Sequence, residues 1–273
     1  MRPSVWVVVA LLVTGCRLGE SVRVPTAPDG AGPSITVRVV RPDGNGPFPG
    51  VVLMHSCAGL VRGARHIDDW TRRLLGMGYV VAIPDSFSER GHPDGVCGDG
   101  MLVPAETRAR DAYAALRQLE QRADVVADRI GLIGHSHGGW TVLATMDENI
   151  AKRIRASAGL RHDFTAAVAF YPACPRTWID RYRPVAPILI LTGELDDWTP
   201  AAPCQRLVDT ARASDQPLSI VVYPGAYHSF DSYAPMRRVP EALQGRGATI
   251  GGDNQAREDS IKQVETFFGR YLR

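Results

Sequence analysis

The chain has 273 residues, of which 45% are apolar and 22% are charged, a composition typical of a globular protein with one substantial core. Its 31 basic and 29 acidic residues leave a formal net charge of +2. This near balance argues against the strongly basic surface that nucleic-acid binding or attraction to anionic lipid requires, so neither is expected as a partner.

The N-terminal residues have the pattern of an export signal, and residues 1–15 are predicted to be removed. Arg2 supplies a positive charge, residues 5–13 form an apolar run, and small residues precede Cys16. The run is too short for a comfortable membrane-spanning helix. It resembles a bacterial lipoprotein signal, which implies acylation of Cys16 and a lipid-anchored protein of the periplasm or cell envelope. The alternative is a plain signal peptide with an incidental cysteine.

Residues 16–33 are rich in proline, glycine and charge, which predicts a flexible tether before a folded domain over 34–273. Within that domain, seven apolar runs predict strands: SITVRVV, GVVLMH, YVVAIP, RIGLIG, AAVAFYP, PILILTG and LSIVVYP. Helices are predicted between and after them, at residues 64–77 and 104–121, from Ser136 onward, and at 200–213 and 254–271. This alternation predicts an α/β fold with a mostly parallel, doubly wound sheet and helices on both faces.

Two long segments, residues 85–103 and 231–253, follow predicted strands. They should therefore emerge at the carboxyl edge of the sheet, where ligands bind in open α/β folds. Their length suggests that each serves as a lid or as a wall of a substrate site.

The sequence Gly134-His135-Ser136-His137-Gly138 directly follows a predicted strand and opens a helix. This is the context of a nucleophile elbow, in which small glycines permit a sharp turn that exposes the serine hydroxyl. The backbone N–H of His137 would then point at an oxyanion. A glycine turn with an incidental serine is one alternative. A metal site on His135 and His137 is another, but side chains two residues apart at such a turn diverge.

A serine nucleophile needs a base and an acid. His228 follows the strand LSIVVYP, and Asp196 and Asp197 follow the strand PILILTG. The chain order of serine, aspartate and histidine is the one that nucleophile-elbow enzymes use. The pattern alone does not separate Asp196 from Asp197; one should accept the N–H of His228, and the other should face solvent or cap the next helix.

These motifs, together with HSCAGL, YVVAIPDSFSERG, LTGELDDWTP and YPGAYHSFD, resemble the dienelactone hydrolase family over nearly all of the mature chain. The resemblance implies an α/β-hydrolase fold, selects Asp196 as the acid, and assigns a second oxyanion donor to the backbone N–H of Cys57. The sequence departs from the family where Ser136 replaces a cysteine nucleophile and Ser56 replaces a glutamate. These two changes agree, because a glutamate that manages a thiol is unnecessary beside a hydroxyl activated by histidine.

The resemblance also suggests residues that contact the substrate. Arg90 matches one of two arginines that bind the substrate carboxylate in the family, whereas Ser232 stands where the second is expected. Candidate pocket residues are Phe87, Tyr171 and Trp198, although ordinary core packing explains such aromatic residues equally well.

Four cysteines remain after Cys16, and an exported protein can form disulfides. Cys57 lies in the expected oxyanion loop and Cys97 in the long segment that should cover it. Cys174 and Cys204 follow successive strands at the same edge. The expected pairs are therefore Cys57 with Cys97 and Cys174 with Cys204, the alternative being four free thiols.

The sequence thus predicts an exported serine hydrolase that cleaves a small carboxylic ester or lactone with Ser136, His228 and Asp196. This chemistry needs neither a metal ion nor an organic cofactor. The alternatives are a noncatalytic binding lipoprotein on a hydrolase scaffold, or a peptidase or acyltransferase that uses the same three residues.

Overall fold

The structure is a computed structural model that describes residues 19–27, 32–240 and 242–273. The predicted signal and Cys16 lie outside the described residues. Within those ranges, none of the helices combines the length and apolar composition needed to cross a bilayer.

An eight-stranded sheet organises the domain in the strand order β1-β2-β4-β3-β5-β6-β7-β8. The strands at the β1 end, β1, β2 and β4, pair antiparallel, and every other pairing in the sheet is parallel. The doubly wound, mostly parallel sheet predicted from the sequence is confirmed. Its strands are β1 (Glu20–Pro25), β2 (Ser34–Val40), β3 (Phe48–Met54), β4 (Val80–Pro84), β5 (Val125–His135), β6 (Ala166–Phe170), β7 (Ile188–Gly193) and β8 (Leu218–Tyr223).

Alternate residues of the central strands enter different halves of the core. In β3, Val52 and Met54 pack in one apolar cluster, and Val51 and Leu53 pack in the other. Successive side chains of a strand point to opposite faces, so a strand covered on both sides must be apolar throughout. This explains the unbroken apolar runs, in which each fully buried aliphatic side chain contributes roughly 1.5–3 kcal/mol.

Seven helices are found in the described part of the chain, and the larger ones cover both faces of the sheet. Helices α2 to α5 contribute to the first apolar cluster, and α1 and α7 contribute to the second. The helices are α1 (Ala64–Gly76), α2 (Ala105–Glu120), α3 (His137–Met146), α4 (Glu148–Ala158), α5 (Ala201–Ala213), α6 (Ala242–Gly245) and α7 (Asn254–Leu272). The helices predicted from the sequence correspond to α1, α2, α3, α5 and α7.

The tether prediction was wrong for residues 20–25, which form edge strand β1. The alternating Val22 and Val24 place one apolar face on the sheet, and Val24 is buried beside Ile35 and Val37 of β2. The alternation of apolar and polar residues in β1 is short, and charged residues and proline surround it. Its period of two is therefore not evident from the sequence. The folded body therefore begins before Ser34.

The segment 231–253 contains a second, two-stranded antiparallel sheet that the sequence did not predict. It consists of β9 (Arg237–Val239) and β10 (Ala248–Ile250). The N–H of Gly251 donates to the carbonyl oxygen of His228 over 3.0 Å, which fixes this hairpin beside the end of β8. The segment thus forms a wall at the carboxyl edge of the main sheet.

Candidate active site

Three polar side chains meet at the carboxyl edge of the main sheet. Ser136 follows β5, Asp196 follows β7 and His228 follows β8. His228 Nε2 lies 2.9 Å from Ser136 Oγ, and His228 Nδ1 lies 2.8 Å from Asp196 Oδ2. All three residues are buried. The predicted hydroxyl, imidazole and carboxylate are therefore within hydrogen-bonding distance of one another.

The hydrogen-bond partners define the proton positions on His228. A carboxylate oxygen of Asp196 can only accept, so Nδ1 of His228 carries a proton and donates it to that oxygen. The opposite nitrogen, Nε2, is then the acceptor for the hydroxyl of Ser136. This tautomer is the one in which the imidazole can take the serine proton.

Ser136 occupies a sharp turn between β5 and α3. Its backbone has φ 57° and ψ −116°, a strained conformation for a residue with a side chain. A Cβ atom at Gly134 would overlap the backbone of Gly138, so the turn requires glycine there. The N–H of Ser136 donates to the carbonyl oxygen of Phe170 over 2.9 Å, which ties the turn to the end of β6.

The two neighbouring aspartates have different partners. Asp196 Oδ1 accepts from the N–H groups of Trp198 and Thr199 over 2.9 Å and 2.8 Å, which leaves Oδ2 for His228. Asp197 instead accepts from the N–H of Thr249 in β10 over 2.7 Å. The structure thus separates two carboxylates that the sequence pattern alone could not distinguish.

Three side chains besides Ser136 and Asp196 also contact the imidazole of His228. Thr199 Oγ1 lies 3.0 Å from Asp196 Oδ2 and 3.1 Å from His228 Nδ1. The rings of Tyr171 and Trp198 pack against the imidazole, with centroids 4.6 Å and 5.0 Å away. The role of Thr199 was not predicted from the sequence, although Thr199 lies within the LDDWTP motif, because a threonine before a proline is also an ordinary helix-start residue.

A cavity of about 160 Å³ opens beside Ser136 and His228. Its walls include residues 56–58, Cys97, Trp198, and the hairpin residues Arg237, Val239 and Ile250. Arg62 also lines it. Both long segments predicted to border the site therefore contribute to the cavity.

The two predicted donors to an oxyanion lie beside this cavity. Cys57 lines the cavity, and α3 begins at His137. The N–H of His137 is in the first turn of a helix, where no acceptor exists within the helix. The donors come from the end of β3 and the end of β5, which are adjacent parallel strands.

Both disulfides have the expected pairing. Cys57 is bonded to Cys97, and Cys174 is bonded to Cys204. The first bond joins the segment after β3 to the long segment after β4, where the N–H of Val96 also donates to the carbonyl oxygen of Cys57 over 2.7 Å. This arrangement fixes one wall of the cavity.

The four predicted substrate-contacting residues have different locations. Trp198 lines the cavity, whereas Tyr171 and Phe87 are fully buried behind it. Arg90 does not line the cavity: its guanidinium binds the buried carboxylate of Asp111 through two hydrogen bonds of 3.0 Å and 2.8 Å. A bidentate ion pair occupies the donors that a substrate carboxylate would need.

The histidines on either side of Ser136 point into different surroundings. His137 contacts Arg108, whereas the ring of His135 stacks on Phe170 and lies 3.5 Å from Asp231. The pair therefore does not converge on one ion, as expected from their spacing.

Asp231 is the centre of a buried hydrogen-bond network beside His228. Its carboxylate accepts from Trp70 Nε1 over 2.6 Å, from His66 Nε2 over 2.7 Å and from the hydroxyl of Tyr171 over 2.8 Å. The possible metal-ligand atoms of Asp231, His66 and His135 lie within 4.8 Å of one another. Because the carboxylate already accepts three short hydrogen bonds, the cluster is better described as an anchor for the His228 loop.

Charges within this network shift the pKa values of its members in opposite directions. Burial lowers the pKa of His66, but the carboxylates of Asp231 and Asp69 together raise it, so the net pKa is above the ordinary value. Burial raises the pKa of Asp231, and His66 then lowers it well below its ordinary value. Burial, with His66 nearby, lowers the pKa of His135 to about 3. These shifts favour a protonated His66 beside an ionised Asp231, and they keep His135 neutral at neutral pH.

The sequence model of the dienelactone hydrolase family matches residues 35–272, nearly the whole described domain. The chain belongs to this family. A relative from Bradyrhizobium sp., named "Probable 2-oxo-3-(5-oxofuran-2-ylidene)propanoate lactonase", is 27% identical over 218 residues, which cover 75% of this chain and 84% of the relative. Membership of the dienelactone hydrolase family supports the hydrolysis of an ester or lactone.

Solved structures agree with this assignment at the level of the fold. A dienelactone hydrolase-like promiscuous phosphotriesterase from metagenomic libraries has a TM-score of 0.64 and 22% identity, and the match covers 93% of this chain and 99% of that one. A thermophilic esterase from Thermogutta terrifontis has a TM-score of 0.65 and 17% identity, covering 93% and 94%. The fold is the α/β-hydrolase fold that dienelactone hydrolases share with such esterases.

Proposed function

We propose that the protein is an exported, lipid-anchored serine hydrolase that cleaves small carboxylic esters or lactones through an acyl-enzyme. The observation that carries the proposal is the imidazole of His228, which lies between the hydroxyl of Ser136 and the carboxylate of Asp196 at 2.9 Å and 2.8 Å. Within a family of hydrolases, this geometry supports nucleophilic catalysis by serine.

In the first step, Ser136 Oγ attacks the carbonyl carbon of the substrate while His228 Nε2 takes the hydroxyl proton. Asp196 holds the imidazole in the required tautomer and stabilises the imidazolium. The carbonyl oxygen becomes an oxyanion that accepts hydrogen bonds from the N–H groups of Cys57 and His137. These groups come from rigid backbone at the ends of adjacent strands, so little reorganisation is needed.

The tetrahedral intermediate then collapses. The bond to the leaving oxygen breaks, and that oxygen takes the proton from His228, which releases an alcohol or opens a lactone ring. Water, activated by the same imidazole, attacks the acyl-enzyme, and the reverse proton transfer frees the carboxylic acid and Ser136. The proposed steps use only side chains and backbone groups of this chain.

The cavity limits the proposed substrate. A volume of about 160 Å³ suits a short acyl or lactone group rather than a long chain. Arg62 and Arg237 line it, and guanidinium groups favour a substrate that carries an anionic group near the scissile bond. Hydrolysis of a panel of short esters and lactones, with and without a second carboxylate, would test this preference.

Export and lipid anchoring are proposed from the N-terminal sequence, and the two disulfides support an oxidising compartment. In the native host, replacement of Cys16 by serine should move the protein from the membrane fraction to the soluble fraction. Continued recovery of the variant with membranes would contradict anchoring through Cys16.

The nucleophile is tested by Ser136→Ala, which should lower kcat for a small activated ester by at least ~10⁴-fold without loss of the folded structure. Labelling by a fluorophosphonate should disappear in the same variant. Ser56→Ala removes another hydroxyl that borders the cavity but has no histidine partner among the described residues, so this control should still be labelled. Equal labelling of wild type and Ser136→Ala would reject the serine mechanism and leave the noncatalytic alternative.

A further inference from the structure

Arg108 is a fully buried cation on α2 that lies beneath the segments carrying both proposed oxyanion donors. Its Nη1 lies 2.7 Å from His137 Nδ1, and its Nη2 donates to the backbone carbonyl oxygen of His55 over 2.7 Å. Its guanidinium also lies over the ring of Phe87, with Cζ 4.8 Å from the centroid. One side chain thus contacts the end of β3 and the start of α3.

Among the described residues, no carboxylate accepts a hydrogen bond from Arg108. Asp111, three residues farther along α2, is bound by Arg90 through a bidentate ion pair. Burial lowers the pKa of Arg108 to about 9, so the guanidinium is still charged at neutral pH. A buried charge whose hydrogen-bond partners are neutral is costly to stability, which suggests a role other than stabilising the fold.

The bond from Arg108 determines the tautomer and the position of the His137 ring. His137 Nε2 lies 2.9 Å from the carbonyl oxygen of Gly100, which can only accept, so Nε2 carries the proton. Nδ1 is therefore free of a proton and accepts from Arg108. Burial and the nearby guanidinium lower the pKa of His137 to about 3, so the ring keeps this acceptor at neutral pH. The residue whose backbone N–H faces the oxyanion is thus held from both sides of its ring.

On the other segment, Arg108 acts through His55. The N–H of Ser86 donates to His55 Nε2 over 3.1 Å, so His55 Nδ1 carries the proton and donates it to the carbonyl oxygen of Ser56 over 2.8 Å. That carbonyl and the N–H of Cys57 belong to the same planar peptide group, in which they point in opposite directions. Holding the Ser56 carbonyl therefore aims the N–H of Cys57.

We propose that Arg108 is a positioning residue of the oxyanion hole, which holds the backbone N–H groups of Cys57 and His137 in a converging arrangement through its bonds to His55 and His137. This role rests on the proposed serine-hydrolase function. It is distinct from the roles of Ser136, His228 and Asp196, because Arg108 forms no hydrogen bond with His228 or Asp196 in the described part of the chain. It stabilises the transition state by keeping two donors aimed at one point.

The test compares wild type with Arg108→Gln, Arg108→Lys and Arg110→Gln, an exposed arginine on the same helix. Folding is checked by thermal unfolding. Arg108→Gln should lower kcat for a small ester by ~100-fold, as expected for a lost oxyanion donor, while KM changes little. The rate of fluorophosphonate labelling should fall in parallel, and the acid limb of the pH profile should not move. Arg108→Lys should recover part of the activity, and Arg110→Gln should match wild type.

A folded Arg108→Gln variant with the kcat of wild type would overturn the proposal, and so would a loss of kcat accompanied by a shifted acid limb, since that would place its effect on His228. If wild type neither hydrolyses esters nor reacts with a fluorophosphonate, the proposed function fails and this role fails with it. An active wild type with unaffected variants rejects only the role of Arg108.

A second variant keeps the proposal testable if Arg108→Gln does not fold. His137→Ala retains the backbone N–H but removes the ring that Arg108 holds, so it should lower kcat at least ~10-fold with little change in KM. Where both variants fold, their combined effect should be smaller than the product of the single effects, because they break the same bond. A wild-type kcat for His137→Ala, or fully multiplicative effects, would overturn the proposal.

Discussion

The two sides of the cavity rest on buried groups of opposite charge. The oxyanion side, formed by residues 55–58 and the start of α3, lies over the buried guanidinium of Arg108. The base side, formed by Asp196 and His228, contains the buried carboxylate of Asp196. In the proposed acyl transfer, negative charge develops on the oxyanion side and positive charge on the imidazole. Each side therefore carries the charge that opposes the one that develops there.

The largest expected effect comes from removing a charge on the base side. Asp196→Asn should lower kcat by ~10⁴-fold, because an amide can donate to His228 and so favour the wrong tautomer. Asp197→Asn is the matched control: its carboxylate contacts Thr249 rather than the imidazole, so kcat should stay close to wild type. Steady-state kinetics on one ester measures both variants. Similar losses in the two would show that the base side does not depend on the Asp196 contact.

The next effect distinguishes the two disulfides. Their bonds close loops of 40 and 30 residues, so the double variants Cys57→Ser with Cys97→Ser and Cys174→Ser with Cys204→Ser should each lose ~3–4 kcal/mol of stability in urea unfolding. Only the first pair contains an oxyanion donor. Its loss should also lower kcat, by about 10-fold or more, whereas the second variant should keep a kcat near that of wild type. Equal kcat values for both would mean that the oxyanion side does not need this bond.

The smallest expected effect concerns the His66–Asp231 ion pair behind the base side. The raised pKa of His66 stabilises the fold fully below its ordinary value of 6.5, and this contribution is lost as pH rises through the folded value. The lowered pKa of Asp231 contributes above its ordinary value of 3.8 and is lost as pH falls. The stability difference between wild type and His66→Gln should therefore be greatest near pH 5 and should shrink above pH 7. Urea unfolding at several pH values measures it; a constant difference would argue against the ion pair.

Much of the fold was predictable because the central strands are apolar on both faces and thus stand out as continuous runs. Helix α4 was missed although its ends carry ordinary signals: the Asp147 carboxylate accepts from the N–H groups of Asn149 and Ile150, and Gly159 has a left-handed conformation. Its position directly after α3 left no loop to mark a boundary. The strands of the small hairpin have only three residues each, too few to show a period.

The predictable part of the site consists of residues that follow strands within a few positions. Ser136, Asp196 and His228 all do so, and parallel strands end at one edge. The supporting charges could not be predicted in the same way, because Asp231 and Arg108 acquire their partners only through the tertiary fold. One signal did exist for Arg108. It shares the buried face of α2 with Ala105 and Ala112, where an arginine is out of place on an otherwise apolar stripe.

The location of the Arg90 side chain could not be predicted for a related reason. A motif comparison fixes the position of an arginine along the chain but not the direction of its long side chain. Here the ion pair with Asp111 turns the guanidinium towards α2, and Arg62 and Arg237 are the arginines that line the cavity.

In the proposed enzyme, the hairpin of β9 and β10 would shape the choice of substrate, whereas other parts of the chain would supply the reacting groups. The three side chains proposed to react are supplied by loops of the main sheet, whereas Arg237, Val239 and Ile250 of the hairpin supply only a wall. Its links to the rest of the site include the N–H of Gly251 on His228 and the N–H of Thr249 on Asp197. Because neither link uses the side chains of Arg237, Val239 and Ile250, these wall residues can be exchanged during evolution or redesign without breaking the links. New substrates can then be accommodated while the reacting groups stay unaltered.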